Sequence, residues 1–247
     1  MCEYKMITLC GTSSKLRQGI VAIVAILCGA ILIIPSTLLH IYGDSINPNV
    51  FAADSKQYGT SYAEWGAKWQ QWLISVPQSL NPANDPTGKN CPQNQNGPVW
   101  FLAGTTGGSA ERTCTIPAGK AIFFPIIASE CDYASYPNVK SEPGLVLCAQ
   151  ADDNRAINVK ATLDGVNLKQ LDKYRVTSPL FSITYPPNNV FGLPPGQTQG
   201  IVDGYWVFLQ PLSPGKHELH FTGLTPGNPT TGTTNFAIDV TYHLTVQ

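Results

Sequence analysis

The chain has 247 residues, of which 13% are charged and 43% hydrophobic, with Gly 22, Pro 20 and a formal net charge of -1. Sparse charge beside so much apolar content excludes a disordered chain, and the Gly and Pro load excludes a long helical bundle. A near-neutral surface cannot neutralise a phosphate backbone, so nucleic acid is not an expected partner.

Lys5, Lys15 and Arg17 precede a stretch without charge from Gln18 to Gly43. Its apolar heart, Ile20 to Leu39, has about the 20 residues that a helix needs to cross a bilayer. That is long for a signal-peptide core, which points to a signal-anchor. Val50 and Ala52, in Asn49-Val50-Phe51-Ala52-Ala53, supply the small-residue pattern of a cleavage site and keep a cleaved signal peptide as the alternative. Either way, positive charge before the span sets the C-terminal body outside the cytoplasm. The expected organisation is a cytoplasmic tail (1–19), a transmembrane signal-anchor or signal peptide (20–42), a linker (43–57) and an extracytoplasmic domain (58–247). The membrane is thus an expected partner through 20–42, and the body is either anchored or released by a cut near Ala52.

The exported part holds Cys91, Cys114, Cys131 and Cys148. An even number in an oxidising compartment reads as two disulfides. Three pairings are open, and Cys91–Cys114 with Cys131–Cys148 is preferred because each clamps one loop without threading. A zinc site is disfavoured, since no C-x-x-C pair exists.

In chain order, Ser61 and Glu64 have the spacing of a capping box. They open a helix whose Tyr62, Trp65, Trp69, Trp72, Leu73 and Val76 share one face, closed by Pro77. The aliphatic members of that stripe favour packing on a sheet over a sugar-stacking platform, with Glu64, Lys68 and Gln71 left to solvent. Beyond Asn81 the signals are short strands. Val99 to Leu102 is apolar, and KAIFFPIIA (120–128) is apolar on both faces, with Pro125 marking a bulge or an edge. Residues 159–168 alternate across Asp164-Gly165, a hairpin signal. Residues 205–210 and 216–222 read as a second hairpin, and the final strand alternates cleanly from Phe236 to Val246. Eight to ten such strands predict an all-β protein: an antiparallel β-sandwich, jelly-roll or immunoglobulin-like, with one N-terminal amphipathic helix.

The blocks GPVWFLAGT, CTIPAGKAIFFP and DGYWVFLQPLSPGKHELHF together resemble a group of exported prokaryotic proteins of about this size. The resemblance covers roughly residues 58–225. It implies export and a single β domain, and it brings no activity and no catalytic residues.

Residues that could do chemistry are few. His217 and His220 are three apart on a strand and face opposite ways; His220 and His243 could meet only if their strands neighbour each other. Glu130 and Asp132 flank Cys131, and Asp152 and Asp153 follow Cys148. A Cys131–Cys148 bond would gather these four acids. They then read as a Ca²⁺ site at Asp152 and Asp153, as an acid/base pair Glu130/Asp132 with Arg112 as basic partner, or as a solvated acidic loop, the favoured reading. Arg112 and Lys120 could also steer an anion from the strand rim. The oxygen-rich loop 85–90 reads as a turn. No nucleophile elbow, zincin or phosphate-loop motif is present. No cofactor is expected, Ca²⁺ being the one considered. The favoured function is a non-enzymatic module binding a glycan, a polymer or an envelope protein through loops and exposed aromatics such as Tyr133, Tyr136 and Phe191. The alternative is an extracellular carbohydrate-active hydrolase or lyase using Glu130 and Asp132.

Overall fold

A computed structural model describes residue 47 and residues 49–247, apart from 231. The expected tail and membrane span (1–42) and the three cysteines at 2, 10 and 28 lie outside the described residues. Among the described residues no helix is long and apolar enough to cross a membrane.

Two short strands, β1 (Lys56–Gln57) and β2 (Thr60–Ser61), pair ahead of helix α1 (Tyr62–Ser75). The capping box forms: the Glu64 N–H donates to the Ser61 hydroxyl, and the Ser61 N–H donates to the Glu64 carboxylate. The chain then runs through 3₁₀ turns to β3 (Val99–Phe101), β4 (Gly108–Ile116) and β5 (Ala121–Asp132). Helix α2 (Glu142–Asp153) follows, then β6 (Ile157–Leu163), β7 (Val166–Asn167), β8 (Arg175–Thr177) and β9 (Phe181–Tyr185). The three longest remaining strands are β10 (Gly196–Leu209), β11 (Gly215–Thr225) and β12 (Phe236–Val246).

The strands form two five-stranded sheets. The first has the order β3-β5-β10-β8, with β9 also pairing β10, and the second has the order β4-β12-β11-β6-β7. The protein is mainly β as expected, but the sheets are mixed, not antiparallel throughout. β3 runs parallel to β5, and β4 runs parallel to β12. The second expected hairpin does not form either. β10 and β11 lie in different sheets, and the Gln210–Pro214 link crosses between them. Turn signals fix a reversal of direction; they do not fix which strand the chain returns beside. The Asp164-Gly165 hairpin does form, with both turn residues at positive φ (51° and 75°).

Period-two alternation builds the layers. Ile122, Phe124, Val207 and Leu209 of the first sheet share one core with Leu219, Phe221, Val240, Tyr242 and Leu244 of the second. The Phe124 and Phe221 rings are 4.8 Å apart across that layer. On the first sheet's other face, Phe123, Trp206 and Phe208 receive α1. Its Trp65, Trp69 and Trp72 are 7%, 5% and 6% exposed, so the stripe packs on a sheet as its aliphatics indicated. Pro125 makes the expected bulge. The β5–β10 register slips between Tyr205 and Trp206, where Ile126 is the extra residue. Beyond the bulge Ala128 turns to the α1 side.

Two boundaries differ from expectation. Residues 49–51, inside the expected linker, pack on the body: Val50 is buried in the core, bridges Leu209, and is flanked by Phe51 N–H to Phe208 C=O and Gln210 N–H to Asn49 C=O bonds. A second helix, α2, stands where a loop was expected. Ser141 caps it by accepting from the Gly144 N–H. Leu145 and Ala149, four apart, bury one face against Ile201 and Cys131. Ile201 shares its face of β10 with Val207 and Leu209, so α2 covers the part of that face which the second sheet leaves open.

Candidate functional site

Both preferred disulfides are present. Cys91–Cys114 pins the 85–94 loop along β4, the edge strand of its sheet. Gly88 (φ +86°) there lies so close to Thr113 that a Cβ would come within 2.3 Å of its carbonyl oxygen. Cys131–Cys148 clamps a helix to a strand, not a loop as expected.

That second bond does not gather the four acids. Alternation on β5 sends Glu130 and Asp132 to the α1 face. Asp153 lies on the opposite face, under α2, where it accepts from the Ser129 N–H and neighbours Asp203. Asp152 is exposed and pairs with Arg155 at 2.6 Å. Among the described residues no group of three or more His, Cys, Asp and Glu is placed to hold a metal, Asp152 and Asp153 included.

Asp132 is fully buried and occupied. Its carboxylate accepts from the Ala134 and Ser135 N–H groups, the Ser135 hydroxyl and the Tyr185 hydroxyl, at 2.5–3.0 Å. It organises the turn after β5. Glu130 differs: its Oε1 is buried with no hydrogen-bond partner. That oxygen lies over Gly200, where a Cβ would come within 2.6 Å of it. Burial first, and the charge of Asp132 second, push the Glu130 carboxyl up to about 8. It is therefore mostly protonated at neutral pH. Asp153, raised to about 8 by burial and then by Asp203, behaves alike.

Arg112 is not a rim charge. It is 1% exposed, because position 112 falls on the inward face of β4 beside Tyr242. Its guanidinium donates to the carbonyls of Ala83, Asp85, Ala103 and Gly104 and to the Tyr242 hydroxyl. It is a clamp that ties two loops to the sheet, its buried guanidinium turned to backbone carbonyls and the Tyr242 hydroxyl. Lys120 donates to the Gly97 carbonyl. Loop 85–90 is a turn, its Asp85 carboxylate accepting from Thr87 and Asn90.

The histidines stand apart from these acids. His220 and His243 share the outer face of neighbouring strands, yet each is taken by its own acid. His220 pairs with Asp239 at 2.7 Å and His243 with Glu111 at 2.8 Å. His217 bonds Asp164 and the Ser213 carbonyl; burial works against its charge, but Asp164 holds its pKa above the ordinary value.

What the sequence reading missed is a cleft of about 500 Å³ beside Glu130. α1 supplies Trp69, Gln70 and Leu73; β5 supplies residues 125–128 and Glu130. Phe191 comes from the loop after β9 and Phe236 from the start of β12. Phe191 and Phe236 keep 46% and 37% of their surface exposed, whereas Gln70 is 3% exposed. The orphaned polar atom on this wall is Glu130 Oε1; a buried acceptor without a partner is costly, and native structures rarely leave one. The signal for Gln70 was present in the helix spacing: Ala67, Gln70 and Ile74 follow at three and four residues, and all three are buried. Phe236 had no local signal, since its strand reaches the cleft only through the fold. Of the aromatics singled out from the sequence, Phe191 lines this cleft, while Tyr133 and Tyr136 lie on the turn after β5.

No family model matches the chain. No curated protein matches it either. Among solved structures, a chain from the structure of PbICP-C in complex with falcipain-2 aligns at 12% identity over 61% of this chain and 100% of that one, with a TM-score of 0.21. A similarity that low carries neither a fold nor a function to this protein.

Proposed function

We propose that this protein is an exported binding module, a two-sheet sandwich whose ligand seats in the cleft between α1, β5 and Phe191. The observation that carries the reading is the Glu130 Oε1 oxygen, buried and without a hydrogen-bond partner, on a residue that walls a largely apolar cavity. Apolar walls with a few converging polar groups are the usual make-up of a small-molecule site. The ligand is an envelope component: a glycan, a polymer end or the exposed group of an envelope protein.

Export rests on Lys5, Lys15 and Arg17 before the apolar stretch 20–39 and on two disulfides in the body. The buried Val50 favours the anchored form, because a cut near Ala52 would remove it from the core. A sandwich with jelly-roll or immunoglobulin-like connections is the finer fold reading, and the shared core of the two sheets supports it. Hydrolysis by Glu130 with Asp132 gains no comparable support. Asp132 is walled in by four donors, and a glycosidase needs both carboxyl groups in the cleft.

The test is ligand-detected saturation transfer from the full chain in lipid nanodiscs to 2-phenylethanol, a neutral and water-soluble probe. Transfer should occur, and Thr106→Trp, placed on the exposed loop at the cleft, should abolish it. Equal transfer to both proteins would sink the reading.

A further inference from the structure

The cleft has an electrostatic one-sidedness that narrows the ligand. Among the residues lining it none is Lys or Arg, while Glu130 lies on its wall and the buried Asp132 stands two residues further along the same strand face. Three aromatic residues, Trp69, Phe191 and Phe236, line the same space. Their ring faces carry partial negative charge and attract cations. Gln70 adds a side-chain amide whose oxygen can accept, and Glu130 Oε1 is a buried acceptor without a partner. The acidic charge and the ring faces of the cleft therefore favour a positive guest.

Building on the cleft as the binding site, we propose that its ligand is a primary amine carried on a compact apolar body, the ammonium group received by the Glu130 carboxylate and the Gln70 amide oxygen. An ammonium has three N–H donors and no acceptor, which matches the two acceptors. Its charge also resolves the position of Glu130. Glu130 stands beside Asp132 with no Lys or Arg lining the cleft, and a part-buried acid so placed keeps its proton. An entering ammonium replaces that proton electrostatically: Glu130 releases one H⁺ to solvent and pairs with the ligand in a charge-assisted hydrogen bond. The groups facing Glu130 are Asp132 on its own strand, Tyr185 from β9 and Tyr136 from the turn after β5. The two phenols are themselves held neutral by burial first and then by these acids, so Glu130 is the group that gives up the proton. The apolar body then fills the space over Leu73 and the rings of Phe191 and Phe236.

The experiment compares phenethylamine with 2-phenylethanol, which have the same body and differ in the charged head. Both are titrated into the full chain in nanodiscs at pH 7 by calorimetry in two buffers of different ionisation enthalpy. Phenethylamine should bind at least about tenfold more tightly, the scale of a hydrogen bond to a charged group. Its binding should release close to one proton, and that of the alcohol none. Glu130→Gln should erase both the preference and the proton release. Equal affinities for the two probes, or a preference that survives Glu130→Gln, would overturn the amine assignment and leave the cleft reading standing. Absence of binding by either probe would overturn the cleft reading itself.

Discussion

Single residues here separate into those whose chemistry is satisfied and those whose chemistry is not. Arg112 and Asp132 are buried and hydrogen-bonded to backbone and hydroxyl groups, so their charge is spent on architecture. Glu130 is part-buried and Asp153 buried, and each has one buried oxygen without a partner. Their raised pKa values have a defined consequence for stability. Below about pH 4 both the folded and the unfolded chain hold these protons, and nothing is lost. Between there and pH 8 the unfolded chain releases them while the folded chain keeps them, so stability falls as pH rises. Above pH 8 the penalty is constant. Glu130→Gln should therefore leave stability nearly unchanged at pH 4 and raise it by about 1–3 kcal/mol at pH 8, seen as a pH-dependent gain in denaturant midpoint. A gain independent of pH would contradict the burial argument. Neither the burial of Arg112 nor the orphaning of Glu130 was legible in the sequence. Both depend on strands and loops that are distant along the chain, and a strand's alternation tells which residues share a face without telling what covers it.

At the scale of elements, local physics was readable wherever one signal dominated. The capping box, the tryptophan stripe, the Asp164-Gly165 turn and the Pro125 bulge all follow from side-chain spacing or backbone restriction, and all are present. α2 escaped because it opens Glu142-Pro143-Gly144, which reads as a turn, and because its buried face is only two small or medium residues wide. The strap at 47–51 escaped because polar and small residues surround Val50 and Phe51. The Phe51 ring nevertheless packs edge-on against Phe208 at 5.1 Å, and its carbonyl accepts from the Tyr62 hydroxyl. Val50→Ala should then cost about 2 kcal/mol, the worth of a buried valine side chain. A surface-like change below about 0.5 kcal/mol in chemical denaturation would return this segment to the status of a linker.

At the scale of the whole molecule, three layers converge on one end of β5: α1 on the outer face, the second sheet on the inner face, and α2 extending that inner face beyond the second sheet. Cys131–Cys148 holds α2 there, closing 17 residues. Its removal through a Cys131→Ala, Cys148→Ala double change should cost about 3 kcal/mol by the loop-entropy relation. Hydrogen exchange should rise first in α2 and the turn after Asp132, leaving β11 and β12 protected. Uniform loss of protection across both sheets would show that α2 is not a separate unit. Cysteine parity and spacing made this framework legible, because bonds between near neighbours in sequence need little knowledge of topology. Sheet order was not legible, since the same alternation serves parallel and antiparallel partners.

The cleft beside Glu130 is the proposed binding site, and the side-chain amide of Gln70 on its wall reports on it directly. In full-length protein labelled with ¹⁵N at glutamine side chains, addition of phenethylamine should shift one amide pair strongly. That pair should be missing from the Gln70→Leu protein, and the exposed Gln71 should stay in place. Saturation of the shift should follow the same affinity as calorimetry. Small shifts spread over surface glutamines, with the Gln70 pair unmoved at saturating probe, would contradict the account.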